Sequence, residues 1–150
     1  MHHYKTILVA IDFSHNSEQA LQRAKQVAQV YSADLQVIHV TEVPTYPVLE
    51  DVAITGIAGV WDDQLGEKLY QASLKRLTQM ADAQNIDHQA CHVITGIPRI
   101  EITARAQQIG ADLIVIGRRG LSGLQRLIGS TADAVIHDAS CDVLAVNLKE

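Results

Sequence analysis

The sequence predicts an α/β fold: one domain with a doubly wound, parallel five-stranded sheet of order 3-2-1-4-5 and helices on both faces. Three observations carry that expectation. The runs Thr6-Ile7-Leu8-Val9-Ala10-Ile11 and Leu113-Ile114-Val115-Ile116 are apolar without polar alternation, as strands covered on both faces must be. Strand-like and helix-like stretches then alternate along the whole chain, which calls for parallel pairing through crossover helices. Finally, Ala33-Asp34-Leu35-Gln36-Val37-Ile38 is echoed by Ala111-Asp112-Leu113-Ile114-Val115-Ile116, and each copy enters a strand after a helix. Right-handed crossovers with one reversal of direction fix the strand order.

The elements follow in sequence. After the first strand and Asp12, Ser14 is an N-cap for a helix to Tyr31, with Ala20, Leu21, Ala24, Val27, Ala28 and Tyr31 on one face. Leu35 to Val40 is the second strand. Glu42 to Trp61 breaks the rhythm with Pro44, Pro47, Gly56 and Gly59, and reads either as a flap over a site or as a surface insertion spanning about 42–62. A long helix, Asp63 to Gln84, buries a stripe of Leu65, Leu69, Ala72, Leu77, Met80 and Ala81. His88 to Ile94 alternates like an edge strand. Pro98 opens the next helix at its favoured first-turn position, and Gly110 stops it. The central strand, a glycine loop, a helix from Ser130 to His137 and a last strand from Asp142 to Leu148 complete the chain.

Composition narrows the function classes. A chain of 150 residues with 47% apolar and 19% charged residues can bury a proper core. Its net charge of -5 argues against a nucleic-acid partner, because a phosphate backbone repels such a surface. Cys91 and Cys141 make neither a disulfide framework nor a zinc knuckle, which suits the reducing cytoplasm. No signal peptide or membrane-length apolar run is visible, so a membrane partner is not expected either.

The chemistry concentrates in Ala111 to Ala132, where a buried strand ends at Gly117 and a loop rich in glycine and arginine leads to a helix start at Gly129-Ser130. Strand, glycine loop and helix start are how many proteins hold phosphate, since free amides and the helix dipole attract an anion. No Gly-Lys pair exists for a Walker A loop, and Arg119 breaks a dinucleotide G-x-G-x-x-G fingerprint. What stands is Gly117-x-x-Gly120, eight residues, then Gly129-Ser130. A plainer reading is a loop before an ordinary cap, Ser130 with Asp133 as a capping-box variant. In a 3-2-1-4-5 sheet the crevice lies where the order reverses, between the first and fourth strands. Those strands end at Asp12 and Gly117, so two distant features converge.

These residues resemble the universal stress protein family along the whole chain. The likeness runs through Lys5 to Ser14, Ala33-Asp34-Leu35, Ile38-His39-Val40, Thr95-Gly96-Ile97-Pro98, Gly110 to Gly117, Gly129-Ser130 and Cys141 to Val146. The nucleotide-binding branch is recognised by G-x2-G-x9-G-[ST]; here the second spacer holds eight residues. The resemblance implies ATP, with or without Mg2+, or another adenine nucleotide. It places Ala10, Ile11 and Asp12 at the ribose, with the Asp12 carboxylate on the hydroxyls. The Val40 backbone would meet the adenine edge, Gly117 would lie by the sugar, and Arg118, Gly120, Gly129, Ser130 and Thr131 would serve the phosphates. It also implies a stress-response role with slow or absent catalysis, and a homodimer.

Rival chemistries fit less well. His88 and His92, four positions apart on a strand, would stand about 13 Å from each other, too far to share a metal ion; His39 reads as a packed histidine. Asp34 and Asp112 precede their strands and read as turn residues at the end away from the crevice. A phosphorylated-aspartate enzyme would need a second acid near Asp12, where Ser14 stands. Hence no catalytic residue is assigned, although slow ATP hydrolysis or self-phosphorylation is an alternative that the resemblance allows. A flavin would need aromatic rings, and Trp61 and Tyr46 are the only evident candidates. Arg118, Arg119 and Arg126 serve either phosphate or solvent. The last strand, Val143 to Leu148, is apolar at a sheet edge, which favours pairing with a second copy; a nucleotide-free dimeric scaffold is the other alternative.

Overall fold

A computed structural model describes residues 3–42, 63–119 and 129–147. Strands β1 (Thr6–Ala10), β2 (Asp34–Glu42), β3 (Cys91–Gly96), β4 (Leu113–Gly117) and β5 (Asp142–Val146) form one sheet of order β3-β2-β1-β4-β5. Every pairing is parallel, with Ala10 opposite Ile38 and Ile116. Four helices connect them: α1 (His15–Tyr31), α2 (Asp63–Gln84), α3 (Pro98–Ile109) and α4 (Ser130–Asp138). The expected order and layering are therefore observed.

Alternate side chains of the central strands feed two separate cores. Ile7, Val9, Val37 and Val115 pack with Ala20, Leu21 and Ala24 of α1 and Leu77 of α2. Leu8, Ala10, Ile38, Val40, Ile114 and Ile116 pack on the other face with Ile102 and Ala106 of α3 and Ala132 and Val135 of α4. Full burial of Ile7, Leu8, Val9, Ile114 and Val115 explains why β1 and β4 carry no polar alternation.

The entrances of the strands are tied by side chains. Asp112 Oδ2 accepts the amides of Lys5 at 2.7 Å and Thr6 at 3.0 Å, and the Tyr4 hydroxyl donates to Asp142 at 2.9 Å. Ser14 caps α1, accepting from the Ser17 amide, and Gly110 ends α3 in the left-handed conformation at φ 64°.

Three expectations need correction. The alternation over His88 to Ile94 is not one strand: Asp87 caps a short 3-10 turn, His88–Ala90, by accepting the Gln89 amide, and β3 starts at Cys91. Ala72 is exposed, because it stands about 140° round α2 from the buried Leu77, on the outer face with the exposed Arg76 and Gln79. Ser130 is not the cap of α4; that position belongs to Gly129, and among the described residues no side chain caps the helix. Residues 43–62 with the proposed flap, Tyr46 and Trp61, the loop carrying Gly120 and Arg126, and Leu148 lie outside the described residues. Among the described residues no helix is long and apolar enough to cross a membrane.

Candidate functional site

At the carboxyl ends of β1, β2 and β4 a cavity of about 460 Å³ opens where the strand order reverses. That volume falls in the range of small-molecule sites. Of the residues expected there, Ala10, Ile11, Asp12, Val40, Gly117, Gly129, Ser130 and Thr131 all line it. Arg118 is not among the lining residues; Arg119 is. Arg118 contributes through its backbone instead, its amide donating to Val146 at 2.8 Å and its carbonyl accepting from Gly129 at 2.7 Å, which fixes the approach to α4.

Asp12 sits on the turn from β1 to α1. Its Oδ1 accepts the Ser14 amide at 2.9 Å, so one oxygen is used in the turn, and Oδ2 has no partner among the described residues. Phe13 takes a left-handed backbone (φ 63°), which swings the chain from strand into helix. Its ring lies 4.4 Å from that of His39, and the Arg76 guanidinium of α2 stands 4.5 Å from the Phe13 ring centre. Gly117 is required by proximity. A Cβ there would approach the backbone of Asn16 in α1 at 3.1 Å.

The wall on the α3–α4 side is apolar, with Ile38, Val40, Ile116, Pro98, Ile102 and Ala132. Opposite stand polar groups, and some are unsatisfied. Thr41 Oγ1 and Arg119 Nε, in residues that line the cavity, are buried without a hydrogen-bond partner among the described residues. Among the described residues no side chain caps the first turn of α4, so its leading amides are suited to an anion.

Backbone groups of β2 lie beyond the pairing with β1 in the same place. Pairing of β1 with β2 stops at Ala10 and Ile38, followed by one further bond from the Ile11 amide to the Ile38 carbonyl at 2.9 Å. Two residues on, Val40 turns its N–H and C=O the same way, beyond the end of β1.

The site holds more than the sequence reveals. His39 is a lining residue as well as a packed one: its Nδ1 stands 2.6 Å from the Ile11 carbonyl. A carbonyl only accepts, so Nδ1 carries the proton. Burial lowers the His39 pKa below 6.5, against the opposing pull of the Ile11 carbonyl and Asp12, and Arg76 adds to the lowering. The shift favours the neutral ring over the charged one relative to a free imidazole. Ser17, Thr41, Glu42, Pro98 and Ile102 also line the cavity; only Pro98, in Thr95-Gly96-Ile97-Pro98, carries a sequence signal.

Metal chemistry gains no support here. Among the described residues no group of three or more His, Cys, Asp or Glu could hold an ion. His88 bonds Asp82 at 2.6 Å, and His92 meets Arg105 at 3.1 Å, so each imidazole is engaged separately. The half-buried thiols of Cys91 and Cys141 are pushed upward in pKa by burial, away from thiolate character.

A profile of the universal stress protein family matches residues 3–147. Universal stress protein A homolog 1 of Coxiella burnetii is 36% identical over 149 residues, covering 99% of either chain. Universal stress protein UspA from Lactobacillus plantarum superposes with a TM-score of 0.74 at 25% identity, over 99% of this chain and 100% of its own. A universal stress protein solved in complex with cAMP shares the fold, with a TM-score of 0.61 at 24% identity over 97% of this chain and 98% of its own.

Proposed function

The chain belongs to the universal stress protein family, and from that premise we propose that it is an ATP receptor, acting in the stress response through its nucleotide-dependent shape with catalysis slow or absent. One observation carries the reading: a carboxylate from early in the chain and an uncapped helix start from late in the chain open into the same cavity.

Each part of the ligand finds suitable chemistry. The unpartnered Oδ2 of Asp12 accepts from ribose hydroxyls. The Val40 amide donates to N1 of adenine and the Val40 carbonyl accepts from its amino group, while Val40, Pro98 and Ile102 cover the ring. Ala10 and Ile11 lead the chain to the ribose, and Gly117 lets sugar and backbone come close. The amides of α4 with the hydroxyls of Ser130 and Thr131 take the phosphates; Arg119 supplies positive charge, Arg118 positions Gly129, and Gly120 completes the set by resemblance. Mg2+ would be held by the phosphates. The cAMP complex of a related fold supports adenine nucleotides as the ligand class.

The protein is further proposed to work in the cytoplasm as a homodimer joined along β5, the strand at one sheet edge. Sedimentation at tens of micromolar should show two copies; a monomer alone would refute the dimer.

The deciding experiment denatures freshly purified protein and chromatographs the supernatant. Adenine nucleotide near one per chain, or heat on titrating Mg-ATP into nucleotide-free protein, is the expected result, and Gly129→Val should abolish it. Neither signal, with dimer retained, would favour the nucleotide-free scaffold.

A further inference from the structure

We propose that His39 is the positioning residue that releases the Val40 amide from the sheet and so sets the preference for adenine. The inference rests on the nucleotide reading above but adds a residue and a cause to it.

Regular parallel pairing has a fixed rhythm. Once the Ile11 amide donates to the Ile38 carbonyl at 2.9 Å, the next rung would bring the Val40 amide to the Ile11 carbonyl. That rung is missing, and pairing ends at Ala10 with Ile38. The Ile11 carbonyl instead accepts the imidazole Nδ1–H of His39 at 2.6 Å. A side chain of β2 has taken the acceptor that its own neighbour's backbone would use. The Val40 N–H is left at the cavity wall, beyond the end of β1, without the bond that would have closed it off.

The ring is held to this task. Phe13 lies against it at 4.4 Å, and Arg76 covers Phe13 in turn. The proton must sit on Nδ1, because the partner is a carbonyl. The same bond grips the residue directly before Asp12, so the base-reading amide and the ribose carboxylate are set by one contact. With His39 replaced by a group that cannot donate, the Ile11 carbonyl becomes available to Val40. The ladder then extends by one rung and the amide is lost to the ligand.

Two variants and two readouts test this. His39→Leu removes the donor; His39→Asn places an amide N–H the same number of bonds from the backbone. In ligand-free protein, hydrogen exchange at the Val40 amide should slow by about tenfold or more in His39→Leu, as expected for an amide drawn into a ladder, and remain as in wild type in His39→Asn. In binding, wild type and His39→Asn should prefer ATP over its 1-deaza analogue, which lacks the N1 acceptor, by about tenfold. His39→Leu should bind the two nearly alike. A role confined to packing would weaken both ligands together and leave that ratio unchanged. ATP binding with equal Val40 exchange in all three proteins would overturn the His39 inference alone. Wild type that binds no ATP would overturn the nucleotide reading and the recognition role with it.

Discussion

The two ends of the sheet carry the same residue types and use them in opposite ways. At the entrance of the strands, Asp112 accepts two backbone amides and Asp142 accepts the Tyr4 hydroxyl, so these carboxylates are spent on tying the start of β1 to those of β4 and β5. At the exit, among the described residues, Asp12 makes a single bond to the Ser14 amide, Val40 stands beyond the last rung, and α4 begins without a side-chain cap. An aspartate beside a strand is therefore not informative in itself. What separates structure from function is whether the fold has already satisfied the group. Unsatisfied polar atoms at the exit cost stability, and the two strongly packed cores below it offset that cost.

The sharpest way to break this contrast is to neutralise one acid at each end. Asp12→Asn keeps an oxygen for the Ser14 amide but removes the charged acceptor. ATP affinity by calorimetry should fall about 30-fold or more with little change in melting temperature. An equal loss of thermal stability would mean that Asp12 is structural, like its counterparts. Asp112→Ala should do the reverse: it frees two amides at the edge of the core and lowers stability by about 2 kcal/mol, seen as a melting temperature lower by roughly 5 °C. ATP affinity should stay within about twofold of wild type.

Acid gives a smaller, sharpening test. The pKa of His39 is lowered from 6.5 chiefly by burial. In the unfolded chain this histidine takes up a proton before the folded one does, so the unfolded state binds more protons just below pH 6.5. His39 thus contributes to stability above that pH, and the contribution is lost as pH falls toward the depressed folded value. His92, lowered by burial and by Arg105, acts in the same direction. Denaturant titrations between pH 7.5 and 5 should show a decline in stability that is shallower in His39→Asn.

Much of the fold was legible because its signals are local and strong. Ile7-Leu8-Val9 and Ile114-Val115-Ile116 can only suit strands covered on both sides, and Pro98 with Gly110 marks the two ends of α3. The errors came where a single side-chain bond or a fraction of a helical turn decides. Asp87 pulls His88–Ala90 into a turn by capping the Gln89 amide, which no alternation pattern records. Ala72 stands five residues before the buried Leu77, about 140° round the helix, so it belongs to the outer face with the exposed Arg76 and Gln79. Ser130 has the right chemistry for a cap and sits one position late.

The site was legible as a convergence and illegible in its detail. Asp12 and Gly117 could be brought together because strand order alone puts the ends of β1 and β4 side by side. His39 could be read only as a packed histidine, since its bond to Ile11 depends on the register between β1 and β2, which is not written in either segment alone. Arg119 displaces Arg118 from the cavity for a similar reason: the Arg118 backbone is committed to Val146 and Gly129.

Most of the apolar wall of the crevice belongs to the layer shared by α3 and α4; Ile38, Val40, Ile102, Ile116 and Ala132 serve both. That layer is unfinished at one end. A flat hydrophobic guest lodged there would be a missing piece of the protein's interior, and by mass action the occupied fraction would govern how often the layer loosens. Such a molecule would convert the concentration of a small metabolite into its own rigidity, so that its resistance to heat or protease becomes a gauge of supply.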